Sequence, residues 1–151
     1  MKKLIVLTTD LSKESYAAFD IAKEYAIALN AEINVITIVE DPAQAAMIYA
    51  MEFPVFPGVE IQKQLVDKVG KELEALVQSK LAGIEATITV VEAKGPIHAE
   101  ITNYANEFGA HLVIIATHGR SGIKSLLIGS VAERVARHAA CPVLVVPSTK
   151  A

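Results

Sequence analysis

At 151 residues, 52% of them apolar, and with a net charge of −3, the chain has the size of a single domain that buries roughly two-thirds of the surface its unfolded form exposes. No run approaches the ~20 uninterrupted apolar residues of a bilayer span, and MKKLIVLTTD meets threonines and an acid too early for a secretory leader, so a cytoplasmic protein without a membrane partner is expected. The lone Cys141 excludes an internal disulfide and reads as buried packing, while the scattered charges speak against sequence-independent nucleic-acid binding, which needs basic surface to displace counterions.

In chain order, LIVLT at 4–8 predicts a first strand running into Thr9 and Asp10. The following SKESYAAFDIAKEYAIAL places Ala18, Ile21, Ala22, Tyr25, Ala26 and Leu29 on one helical face, with Ser12 as N-cap and Glu14 in the first turn. INVITIV at 33–39 reads as the second strand. Residues 45–59, AAMIYAMEFPVFPGV, are apolar but broken by Pro54 and Pro57 and too long for an ordinary turn. They fit a lid, a docking patch or a packed insertion, and are expected to be more mobile than the sheet.

Residues 61–81 form a second helical pattern through Ile61, Leu65, Val69, Leu73 and Leu76, and ATITVVE at 86–92 a third strand. The helix expected at 96–108 carries Ile97, Ile101, Tyr104, Ala105 and Phe108, with Pro96 in its first turn. LVIIA at 112–116 is the fourth strand. A helix at about 129–138 ends in Arg134, Arg137 and His138, the charge a helix C-terminus favours, before VLVV at 143–146. Strand and helix alternate from end to end. This predicts one α/β domain over residues 1–151, an open doubly wound five-stranded parallel sheet with about four helices on both faces.

ATHGRSGIKSLLIGS at 116–130 is the stretch with most chemical content. It lacks the Gly-Lys-Ser/Thr spacing of a Walker A loop, the GxGxxG of a Rossmann turn and the GxSxG of a hydrolase elbow. GRSG matches the GxxG of KH domains but in another fold context, and His98, His111, His118 and His138 are dispersed, with no metal-ligand spacing. What remains is a glycine-containing connection ending in Gly129-Ser130 at a helix start, where unsatisfied amides and the positive dipole end favour an anion. Ser130 could add a hydroxyl and Arg120 or Lys124 a charge; the plain alternative is a flexible Gly-Ser helix start. In a sheet of order 3-2-1-4-5, Asp10 at the end of strand 1 shares the reversal point with this connection, where doubly wound sheets bind ligands. Asp10 could instead cap the helix that follows it.

These residues resemble the universal stress protein family, over nearly the whole chain. The likeness rests on TDLSKES, ITIVE, GPIHAEITNYANEFGAHLVII and above all THGRSGIKSLLIGSVAERVARHAACPVLVVP. Its adenine-nucleotide-binding members carry Gly-x2-Gly-x9-Gly-Ser/Thr, in which Gly119 and Gly129-Ser130 match and Ala116 replaces the first glycine; Thr8 stands where proline is frequent. An Ala116 at positive φ would cost about 1 kcal/mol, whereas one that merely ends the strand would be harmless. The resemblance implies an adenosine site at Thr9, Asp10 and Ile38, and a phosphate site along Ala116, His118, Gly119, Arg120, Ser121, Gly122, Gly129, Ser130 and Val131.

The expected function is a cytoplasmic stress-response sensor or modulator that binds ATP, or AMP or ADP, rather than a dedicated enzyme. Slow hydrolysis through Mg²⁺ bridging the phosphates and Ser130 stays open. The alternative is a nucleotide-independent dimeric interaction module. A homodimer is expected through the apolar edge strand at Val143, Leu144, Val145 and Val146. A valine at Gly129 is expected to block ligand and leave the fold intact.

Overall fold

Five apolar runs become five parallel strands. The computed structural model describes residues 1–40, 59–118 and 128–148. Its elements in chain order are β1 (Lys3–Thr8), α1 (Ala17–Leu29), β2 (Ala31–Val39), α2 (Val59–Lys80), β3 (Ala86–Glu92), α3 (Ile97–Glu107), β4 (Leu112–Ala116), α4 (Ser130–His138) and β5 (Val143–Val146). The sheet order is β3-β2-β1-β4-β5 and every pairing is parallel. The chain therefore steps outward from β1 to β3, then returns past its start to β4, so the order reverses between β1 and β4. The residues 41–58 and 119–127, which hold most of the 45–59 segment and Gly119, Arg120, Ser121 and Gly122, lie outside the described residues.

Successive strand residues point to opposite faces, and both faces are covered, so the strands are predominantly apolar. Ile5, Leu7, Ile33, Val35 and Ile114 pack with Phe19, Ala22 and Leu73 under α1 and α2. Val6, Ile36, Val113 and Ile115 pack with Ile101, Ala105, Ala132 and Val135 under α3 and α4. Buried Asn34 on β2 is satisfied by donating from Nδ2 to Thr87 Oγ1 at 2.8 Å and accepting the Tyr104 hydroxyl at 2.7 Å, which ties β2 to β3 and α3. Among the described residues no helix is long and apolar enough to cross a membrane.

The helical faces are rotated from their expected setting. On α1 the buried residues are Ala18, Phe19, Ala22 and Ala26. At about 100° per residue this arc centres between Ala22 and Ala26, which swings Phe19 fully inward and leaves Tyr25 at the rim, 40% exposed. Small alanines let the helix lie close to the sheet. It ends at Asn30, whose left-handed backbone (φ 50°) and N–H to Ala26 and Ile27 carbonyls make a C-cap that asparagine tolerates. On α2, Leu73 is buried while Leu65 is exposed, and on α3 Phe108 is exposed beside Tyr104, 4.5 Å between ring centres. Pro96 precedes α3 as its N-cap instead of entering its first turn.

Ser12 does not cap α1 with its side chain. A short 3-10 turn, Lys13–Tyr16, intervenes, and the Ser12 hydroxyl is drawn back to Asp10. Phe19→Ala should lower unfolding free energy by roughly 3–5 kcal/mol, and Tyr25→Ala by well under half as much, measured by urea denaturation. Equal losses would contradict the observed rotation of α1.

Candidate functional site

The C-terminal edges of β1, β2 and β4 lie together at the point where strand order reverses. Leu7 pairs with Ile114, and the same parallel register sets Thr9 level with Ala116. Thr9 extends β1 by donating its N–H to the Ile36 carbonyl at 3.0 Å. Its side chain is buried, the hydroxyl shared with Ser15 Oγ at 2.7 Å and accepting the Leu11 N–H at 3.0 Å. Thr9 therefore builds the turn with its side chain.

Asp10 holds the next position. Its Oδ1 accepts the Ser12 N–H at 3.0 Å and the Ser12 hydroxyl, an Asx-type turn. The Ser12 carbonyl in turn accepts the Ser15 N–H at 3.1 Å and hydroxyl at 2.7 Å. These bonds carry Leu11 through φ 67°, a left-handed conformation costly for a side chain with Cβ, and its apolar body packs against the first core. A carboxylate is thereby held in one orientation above the sheet by short local bonds.

On the other side of the reversal, β4 and β5 are prolonged beyond their last ladder pair. Thr117 donates its N–H to Val146 at 2.8 Å, Ser148 donates its N–H to Thr117 Oγ1 at 3.0 Å, and the His118 N–H reaches Ser148 Oγ at 3.3 Å. Ala116 is a buried strand residue opposite Val146, without positive φ, and its side chain belongs to the first core. The methyl therefore costs no backbone strain. Ile38 is half-buried near the end of β2 and packs on the second core, as does Val131 at the start of α4.

Gly129 is where the two sides of the connection meet. Its N–H donates to the Thr117 carbonyl at 2.6 Å, and a Cβ built on it would lie 2.6 Å from that same oxygen. Glycine is required because two backbones touch. This corrects the expectation that a valine here would spare the fold, and it removes the Gly129 amide from the donors open to a ligand. The contact seats Gly129 as the N-cap of α4, so the following amides, Ser130, Val131 and Ala132, are those with no intrahelical acceptor. They form the positive end of a helix standing at the sheet edge near Thr117.

The structure thus brings Thr9, Asp10, Ala116, His118, Gly129, Ser130 and Val131 to one end of β1 and β4, with Ile38 on the neighbouring strand. Ser15, Thr117 and Ser148 were not singled out by sequence reasoning, and Ser12 was read only as a helix cap. The Asp-x-Ser spacing of Asp10 and Ser12 was the available signal, being that of an Asx turn. Among the described residues no group of three His, Cys, Asp or Glu side chains could hold a metal. Burial pushes the Cys141 thiol above its ordinary pKa, away from the thiolate a nucleophile needs.

Two outcomes follow. Gly129→Ala should cost roughly 1–3 kcal/mol of stability in urea titration, whereas Gly95→Ala, whose added Cβ meets only the end of the Glu100 side chain at 3.8 Å, should cost much less. Cys141 should react with a disulfide reagent at neutral pH more slowly than a free thiol; reaction at the free-thiol rate would contradict its burial.

Comparison with known proteins agrees with this architecture. The model of the universal stress protein family matches residues 1–147. A relative from Methanocaldococcus jannaschii, universal stress protein MJ0531, is 31% identical over 99% of this chain and 84% of its own length. The solved structure of hypothetical protein MJ0577 superposes with a TM-score of 0.79 at 23% identity, covering 100% of this chain and 99% of the other. A universal stress protein in complex with cAMP gives a TM-score of 0.61 at 25% identity over 98% of both chains. Another, from Archaeoglobus fulgidus in complex with dAMP, gives 0.57 at 17% identity over 96% and 97%. With its strand order, its reversal point and its glycine-capped fourth helix all in place, the chain belongs to the universal stress protein family.

Proposed function

We propose that this protein binds an adenine nucleotide across the β1/β4 reversal point and works as a cytoplasmic stress-response sensor or modulator, not as a dedicated enzyme. The observation that carries the reading is the seating of the α4 N-terminus against Thr117, on the strand beside the one that ends in the oriented carboxylate of Asp10. Phosphates take the amides of Ser130 and Val131 and the Ser130 hydroxyl. Ribose or base takes Asp10, with Ile38 as an apolar neighbour. The complexes of related proteins with cAMP and dAMP support an adenine ligand. Mg²⁺ would enter with the phosphates, bridging them to the Ser130 hydroxyl.

Calorimetry with ATP, AMP and adenosine tests this. Asp10→Ala should weaken ATP and adenosine alike by about tenfold, because it acts at the nucleoside end. Ser130→Ala should weaken ATP several-fold and leave adenosine unchanged. Ala116→Gly should not tighten binding, since the methyl is packed in the core and carries no strain. Absence of ATP binding at millimolar concentration, in the wild type and in Ala116→Gly alike, would leave the nucleotide-independent interaction module.

We further propose a homodimer through β5, a reading favoured by the contrast between the two sheet edges. β3 exposes Thr87 and Glu92, which blunt it. β5 is wholly apolar and borders an open groove lined by Ile128, Ala132, Ala136 and Val145 together with the ion-paired Glu133 and Arg137. Light scattering should give twice the chain mass, and Val145→Glu should return it to a monomer.

A further inference from the structure

We propose that His98 and His138 together form a two-histidine site for a borderline divalent ion of the Zn²⁺, Ni²⁺ or Cu²⁺ kind, joining α3 to α4. The two residues are far apart in the chain, one in the first turn of α3 and the other the last residue of α4. In the fold the two rings are neighbours, 5.9 Å between centres and tilted by 34°. His98 is half-buried and His138 exposed, so the space between them is reachable from solvent.

Among the described residues, no hydrogen bond or ion pair takes up either imidazole. Two adjacent rings, each with a lone pair on one nitrogen, are chemically a chelating pair. With metal–nitrogen bonds of about 2.0–2.1 Å, two imidazoles on one ion set their ring centres roughly 5–6 Å apart, from a tetrahedral to a wider angle. The observed separation of the ring centres falls in that range, so rotation of the two side chains, with the helices in place, is what turns a nitrogen of each toward one ion.

The electrostatics work in both directions. His138 sits among the last carbonyls of α4, the negative end of the helix. Of the nearby cations on α4, Arg137 is paired with Glu133 at 2.7 Å, while Arg134 lies one turn before His138 and opposes a bound ion. No third His, Cys, Asp or Glu among the described residues completes the set. The site is thus open, with water or a small ligand in the remaining positions, and suits exchangeable binding, not a permanent structural ion. Imidazole donors select the later transition metals over Mg²⁺ or Ca²⁺. An ion held there ties α3 to α4 and stabilises the folded chain by mass action.

The test uses the full chain without a histidine tag. Thermal unfolding and calorimetry with ZnCl2, NiCl2 and CuCl2 should show one ion per chain and an unfolding midpoint raised by a few degrees, with MgCl2 without effect. His98→Asn and His138→Asn should each weaken binding at least about tenfold, and His111→Asn should leave it unchanged. Circular dichroism of the variants separates loss of ligand from loss of fold. Paramagnetic resonance of the Cu²⁺ form should show two equatorial nitrogens in the wild type and one in either variant. No midpoint shift with any of the three ions, or affinity retained in both variants, would reduce the pair to a ring contact and overturn the proposal.

Discussion

The ligand-side edge of the sheet depends on the place where the backbone of Gly129 touches the carbonyl of Thr117. That contact closes the β4–α4 connection at its base, whatever course the intervening residues take. It also sets where α4 starts and therefore where its amides and dipole are presented. Thr117 is fixed by β5 through Val146 and Ser148, so the helix start inherits the rigidity of a buried parallel ladder. A side chain at 129 would push the helix off the strand, and the first turn of α4 would lose its reference to β1.

Opposite it, the β1–α1 turn solves a different problem. A strand must give way to a helix within a few residues while the carboxylate of Asp10 beyond its end is held by local bonds. Three hydroxyl residues, Thr9, Ser12 and Ser15, absorb the local donors and acceptors, and Leu11 accepts a left-handed backbone in exchange for core packing. Rigidity on both sides of the reversal means that a molecule bound as proposed would meet groups already in position, which lowers the ordering cost of binding.

Much of the fold was legible in the sequence because strands covered on both faces are apolar at most positions. Run length then marks them without any alternation, and all five runs end where strands end. Periodicity showed which residues of a helix share a stripe, but not how that stripe is turned toward the sheet. Tyr25, Leu65 and Phe108 lie at rims for that reason, and Phe19 was missed. Ser12 was read as a cap because its residue type fits, while the nearer carboxylate of Asp10 competed for it and won. At Gly129 a missing side chain can admit a ligand or a backbone, and one letter serves both; only the position of Thr117 separates them. The approach of His98 to His138 depends on two helices meeting, which no spacing along the chain encodes.

The two edges of the sheet differ in more than their composition. A copy added along β5 carries its own β3 outward, with Thr87 and Glu92 exposed at the new margin. In the homodimer proposed above, growth of the sheet would be self-limiting: pairing would consume the apolar edge of both copies and leave only the polar ones. A sheet with one apolar margin would close in pairs as its concentration rises, where one with two such margins would polymerise.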